Sequence, residues 1–269
     1  MKKFTAFAII GLFCVGINAQ TETKPKVEEK PAIMTETKPT TTVDAKESLG
    51  KVEVKADASS VELVKNAVKA HGGDAFKNMK TLFVSGSADF SVEGQSFQLT
   101  STFITAYAGE KYRIELNNPV QPFKQTFDGE QTYSAGGRGL NLPPLNRIGL
   151  PLLQRYDEKG FSISTLPDDK KKKKGFRITS PEGYFTDFYV DEKTGQIKGY
   201  EASYEINGSQ ATTSVEIDKL REVDGVQVPE KYSQRLQFGI SFTVYAAFKA
   251  KEVLVNTKLI DDLFAAPKN

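Results

Sequence analysis

Thr81-Leu82-Phe83-Val84-Ser85-Gly86-Ser87-Ala88-Asp89-Phe90-Ser91-Val92 decides the fold. Leu82, Val84, Ala88, Phe90 and Val92 fall on one parity, and Ser85, Ser87, Asp89 and Ser91 on the other. A period of two marks a half-buried strand, because successive side chains point to opposite faces of a sheet. The pattern returns downstream. Phe97, Leu99, Phe103 and Tyr107 alternate with Gln98, Thr100 and Thr102; after a turn at Gly109-Glu110, Tyr112, Ile114 and Leu116 alternate with Lys111, Arg113 and Glu115. One apolar and one wet face argue for antiparallel pairing. Phe123 and Phe127 then lead into Asp128-Gly129, a strong hairpin turn, and the returning strand carries Tyr133.

The stretch from Gly136 to Pro151 is rich in Gly and Pro and predicts irregular chain, with a short helix over Leu152 to Tyr156. Further strands are expected at Phe176 to Ser180, Tyr184 to Val190, Gln196 to Ile206 and Gln210 to Val223, with a long ribbon from Val226 to Val255. Asp191 to Gly195, Asn207-Gly208 and Asp224-Gly225 are the short polar turns between them. Upstream, Ser59 and Glu62 form a capping box for a helix from Ser60 to about Ala70, with Val61, Val64, Val68 and His71 at helical spacing. Gly72-Gly73 ends it, and a further short turn follows from Asp74 to Met79. The expected class is mainly β with a packed helix. About ten or eleven strands form a curved antiparallel sheet, an unclosed half-barrel over helices in preference to a closed barrel.

Further upstream the composition changes. Residues 20–58 are Thr, Lys, Glu, Pro and Ala with almost no aromatics, and Thr21-Glu22-Thr23-Lys24-Pro25 recurs as Thr35-Glu36-Thr37-Lys38-Pro39. Such a chain buries too little apolar area to offset its entropy and reads as a disordered tether before a single domain over 59–269. Residues 1–19 read as a signal peptide: Met1-Lys2-Lys3, an apolar run from Phe4 to Val15 too short to span a bilayer, and a small residue at Ala19 for cleavage. Cys14 offers a second reading, a lipid-attachment cysteine, against which stands the bulk of Phe13.

Lys plus Arg total 36 against 34 Asp plus Glu, so no strong field draws nucleic acid. His71, the one histidine, sits at a helix end and reads as a packed cap. Ser-His-Asp, Cys-His and zinc constellations then lack their histidine, and no metal, cofactor or enzymatic activity is expected. An aspartate-based hydrolase is a further alternative for which no carboxylate pair can be placed. Asp168-Asp169 and Asp261-Asp262 read as solvated turns, and Gly136-Gly137-Arg138-Gly139 as a loop lacking the rest of a phosphate cradle. Lys170 to Lys174 reads as a solvated hairpin tip, with contact to anionic lipid as its alternative. What remains is an excess of aromatics, 18 Phe and 10 Tyr, on strands that one short helix leaves partly uncovered. A concave apolar surface wider than its plug is a ligand site by default; the alternative is that the rings fill the core.

Several segments together resemble one family, the periplasmic outer-membrane lipoprotein carriers (LolA-like) and their LppX-like lipid-binding relatives. They are Ala70-His71-Gly72-Gly73, Met79-Lys80-Thr81-Leu82, Lys111-Tyr112-Arg113-Ile114-Glu115, Phe127-Asp128-Gly129-Glu130-Gln131-Thr132-Tyr133 and Gly175-Phe176-Arg177-Ile178. Tyr189 to Ile197, Val223 to Pro229 and the tail Ile260-Asp261-Asp262-Leu263-Phe264 also fit. The resemblance implies an unclosed barrel whose concave face holds acyl chains, with helix and loops as a lid. Ala108-Gly109-Glu110 replaces the family's basic-plus-proline turn, and Ile114 and Tyr133 replace its tryptophans. The expectation is therefore a non-enzymatic periplasmic monomer, free or associated with the outer membrane. It binds lipid, lipoprotein acyl chains or another apolar ligand. The cavity candidates are Phe97, Leu99, Phe103, Tyr107, Tyr112, Ile114, Leu116, Phe123, Phe127 and Phe188. The alternative is an envelope interaction module with a filled core that engages a protein partner.

Overall fold

A computed structural model of the protein describes residues 57–96, 98–120, 122–136, 142–170, 172–206, 208–239 and 242–266. The expected signal peptide, nearly all of the expected tether and Phe97 lie outside the described residues. Helix α1 (Ala58–Ala70) and the short α2 (Asp74–Lys77) precede the first strands, β1 (Thr81–Val92), β2 (Gln98–Ala108), β3 (Lys111–Asn117), β4 (Phe123–Phe127) and β5 (Thr132–Gly136). After α3 (Leu150–Gln154) come β6 (Ser162–Ser164), β7 (Gly175–Thr179), β8 (Phe185–Val190), β9 (Ile197–Ile206), β10 (Ser209–Val223), β11 (Val226–Phe238) and β12 (Phe242–Val255).

All twelve strands belong to one antiparallel sheet in the order β5-β4-β3-β2-β1-β12-β11-β10-β9-β8-β7-β6. It is two meanders joined where β1 pairs with β12, with Leu82 opposite Val255. The order does not close: β5 and β6 are its two edges. This is the unclosed sheet over helices that the resemblance implied. It has one strand more than the sequence pattern showed, because β6 is three residues long and too short to display an alternation.

The same topology dictates the strap. The chain leaves the sheet at one edge, β5, and re-enters at the other, β6, so residues 137–161 connect opposite edges of the open sheet. Its described part holds the short helix expected at Leu152 to Tyr156, shifted two residues toward the N-terminus, and some structure in the stretch expected to be irregular. Leu145–Arg147 form a 3-10 turn, and α3 starts at Leu150 with Pro151 in its first turn, where the missing N–H costs nothing. Leu152 and Leu153 are fully buried in the same core as Val64, Ala67 and Val68 of α1.

The start of α1 also differs from expectation. Asp57, not Ser59, is the N-cap: its carboxylate accepts from the Ser60 N–H at 3.0 Å and from the Ser59 hydroxyl. A charged acceptor beside the positive helix end outcompetes a hydroxyl. The other end follows the sequence. Gly72 has φ +122, and a Cβ there would lie 2.2 Å from the Gly225 carbonyl oxygen, so only glycine fits. His71 is fully buried within hydrogen-bond distance of two strands. Its Nδ1 lies 3.1 Å from the Gln227 carbonyl, and its Nε2 accepts from the Ile197 N–H at 3.1 Å. Those partners require neutral imidazole with the proton on Nδ1. Burial lowers its pKa, partly opposed by the bond to Gln227.

On the convex face, Lys170 does not sit on a solvated tip. It reaches Asp187, which is fully buried, at 2.9 Å, and pairs with Glu201; Arg177 holds the other Asp187 oxygen at 2.6 Å. Burial disfavours its charge, but hydrogen bonds and charges from Glu201 and Asp187 outweigh that and raise the ammonium above its ordinary range. Lys172, Lys173 and Lys174 remain exposed.

Candidate functional site: the concave face

Cross-strand partners share a face, so the register maps the concave side in rows. One row is Phe127, Tyr112, Tyr107, Leu82 and Val255; the next is Gln125, Ile114, Thr105, Val84 and Val253. Phe123, Leu116, Phe103, Gly86 and Ala250 follow, then Ser101, Ala88, Phe248, Tyr232 and Ile217. The longest runs from Leu99 through Phe90, Ala246, Gln234, Val215, Tyr200 and Phe188 to Phe176. None of the five rows contains an Asp, Glu, Lys or Arg. The nine described candidates from the sequence therefore share one face, as strict alternation requires.

Coverage divides them. Phe103, Tyr112, Phe123 and Phe188 are at most 5% exposed. Three of them pack on other rings: Phe103 edge-on to Phe248 at 5.2 Å, Tyr112 stacked on Phe127 at 5.8 Å and Phe188 on Phe176 at 5.3 Å. Leu99, Tyr107, Ile114, Leu116 and Phe127 keep accessible surface. So do Leu82, Phe90, Tyr200, Tyr232 and Phe248, which the sequence reading did not single out. Tyr232 and Phe248 are stacked almost parallel, 4.7 Å between centroids.

A cavity of about 530 Å³ opens where α2 and α3 meet the starts of β1 and β11. Its wall includes Phe76, Met79, Leu82, Tyr107, Leu150 and Val228, and its polar lining includes Lys77, Lys80, Glu110, Asn146, Arg155 and Glu158. Such a volume lies within the range of small-molecule sites. Of the nine described sequence candidates, Tyr107 alone is among its lining residues. Leu150, Pro151 and Gln154 of the wall come from α3, whose start signal, Pro151 in a first turn, reads in the sequence as the end of the irregular stretch.

Polar contacts along its length hold the strap to the sheet. Glu110, in the β2–β3 turn, binds Arg147 at 2.8 Å and Arg155 at 2.7 Å. Arg147 also reaches Glu182, and the Gly149 N–H donates to the Thr186 hydroxyl at 3.0 Å. Gln125, buried on the concave face, donates to the Leu142 carbonyl and accepts from the Leu142 N–H. Gln154 donates from its amide to the Met79 carbonyl at 2.7 Å, joining α3 to the segment after α2. Among the described residues no group of three His, Cys, Asp or Glu could hold a metal ion, and no helix is long and apolar enough to cross a membrane.

No protein-family model matches the chain, and no curated protein matches it. Among solved structures it is similar to a LolA superfamily protein from Nitrosomonas europaea, at 8% identity and a TM-score of 0.47, over 77% of this chain and 97% of that one. A DUF1329 family protein from Desulfovibrio piger is similar at 9% identity and TM-score 0.46, with the same two coverages, 77% and 97%. A chain of the MucA/MucB complex of Pseudomonas aeruginosa is similar at 9% identity and TM-score 0.23, over 72% and 94%. What the site can do has to be read from the concave face itself.

Proposed function

We propose that the protein is a non-enzymatic periplasmic carrier or binder that holds a lipid, a lipoprotein acyl chain or another apolar ligand on its concave face. One observation carries this reading: a continuous, uncharged apolar surface is only partly covered by the protein's own helices, so Leu99, Ile114, Leu116, Phe127 and Phe248 stay accessible on the inner side of the sheet. Apolar area left wet costs about 25 cal/mol per Å², and an acyl chain laid against it recovers that free energy. The strap, tied down by partly exposed ion pairs rather than by a sealed core along its whole length, suits a cover that admits a ligand.

The experiment is native mass spectrometry of the chain purified without detergent, followed by lipid extraction. A stoichiometric acyl-chain adduct is the expected result. A ligand-free mass that also takes up no added lipid would leave the filled-core envelope module as the better account.

A further inference from the structure

The charged groups on the wall of the cavity pair off, with one exception. Arg155 holds Glu158 at 2.7 Å and one oxygen of Glu110 at 2.7 Å, and Arg147 takes the other Glu110 oxygen at 2.8 Å. Lys77 donates to the Gln154 carbonyl at 2.6 Å and pairs with Asp157. Both carboxylates of the wall and two of its three cations are therefore engaged. The third cation, Lys80, is exposed and makes no ion pair among the described residues. Asn78, two positions before it on the same wall, is also exposed and makes no side-chain hydrogen bond among the described residues. An ammonium and an amide are left as uncommitted donors at one place in the cavity.

The same cavity is continuous with the apolar face. Leu82 and Tyr107 lie on its wall and belong to the first concave row, the one that runs from Phe127 to Val255. Tyr107, Ile114 and Leu116 keep accessible surface in three successive rows, so a half-covered path leads from the cavity along β2 and β3. From Tyr107 to Leu99 this face of β2 measures about 26 Å, at about 3.3 Å per residue. One acyl chain spans half of a bilayer core about 30 Å thick, or about 15 Å. A single chain therefore fits end to end on the face with its head in the cavity.

Resting on the lipid-binding reading, we propose that this cavity seats the head of a single-chain lipid and selects an anionic head, as in a free fatty acid, over a neutral or cationic head on the same chain. Lys80 is the counter-ion, Asn78 donates a hydrogen bond, and the chain lies along Tyr107, Ile114 and Leu116. Because Lys80 is exposed, an anion beside it keeps part of its hydration and escapes the cost of full burial. A neutral head forgoes the attraction of the ammonium. A cationic head would be set beside Lys80 and Arg155, with Glu110 and Glu158 already engaged.

The test compares oleate, oleyl alcohol and oleylamine, three heads on one chain, as competitors for a fluorescent acyl probe bound to the full chain at low salt. Oleate is expected to bind about fivefold more tightly than the alcohol, with the amine weakest. Raising the salt should shrink the preference, since an exposed pair is screened. In Lys80→Glu the preference for oleate over the alcohol should vanish or reverse, while the affinity for the alcohol and the Tm stay close to those of the unsubstituted chain. Equal affinities for oleate and alcohol in the unsubstituted chain, tightest binding of the amine, or a preference that survives Lys80→Glu overturns the anionic-head assignment and leaves lipid binding standing. Failure of all three to displace the probe overturns both. The comparison of heads and its salt dependence on the unsubstituted chain decide even where the variant does not fold.

Discussion

One sheet carries two unlike halves. Beneath α1 and α3, Phe176, Ile178 and Phe188 have no exposed surface, and Leu152 and Leu153 from the strap close over the same core. Around β2 to β4, residues of the same chemical type on the same face, Leu99, Ile114, Leu116 and Phe127, stay half-covered. Residue type does not separate sealed core from half-covered face here. The separation comes from the reach of two short helices, 13 and 5 residues long, against strands of up to 15. A helix rises about 1.5 Å per residue and a strand about 3.3 Å, so the cover falls short of what it must hide.

That contrast can be broken first at its sealed end. Phe176→Ala is expected to cost about 3–5 kcal/mol in urea unfolding, because the ring is fully enclosed between Phe188 and the α1 core. A cost below about 1 kcal/mol would mean that this half is no better packed than the other. The convex ion cluster gives the next effect. Lys170→Met leaves Asp187 with Arg177 alone and should cost about 2–3 kcal/mol, whereas Lys172→Ala, on the exposed part of the same lysine run, should change stability by less than about 0.5 kcal/mol.

Leu116→Ala probes the uncovered half. It should cost only about 1–2 kcal/mol of stability while weakening acyl-chain binding, measured by probe displacement. The reverse pattern, a large stability loss with binding intact, would make Leu116 plain core. The smallest effect is on pH dependence. His71 has a folded pKa below its ordinary 6.5, so between the two values the unfolded chain binds more protons and stability rises with pH. Stability should therefore decline as the pH falls through about 6.5, by no more than roughly 1.4 kcal/mol per pH unit, and His71→Gln should remove that step. A step that persists in His71→Gln would assign it to carboxylates.

The sheet was legible because long alternating strands encode their own orientation: once Leu82, Tyr107 and Tyr112 are placed on one parity, their pairing in a single row follows. The concave candidates were legible for the same reason. What sequence could not display is coverage. Phe103 and Leu116 are cross-strand partners of the same type, yet one is sealed and the other not, depending on elements far along the chain. Lys170 shows the same limit, since its partners Asp187 and Glu201 lie 17 and 31 residues away on the convex side. Asp57 and Pro151 were readable helix-start signals outweighed by a neighbouring Ser-x-x-Glu pattern and a Gly/Pro-rich composition.

The central claim is that the half-covered part of the concave face is a cavity for an acyl chain. The most direct test is a crystal structure with a lipid brominated along its chain, read by anomalous scattering. The account predicts bromine on the inner side of the sheet, among Leu116, Phe248 and Tyr232. Bromine only on the convex surface, or a face closed ring on ring with none bound, would contradict it.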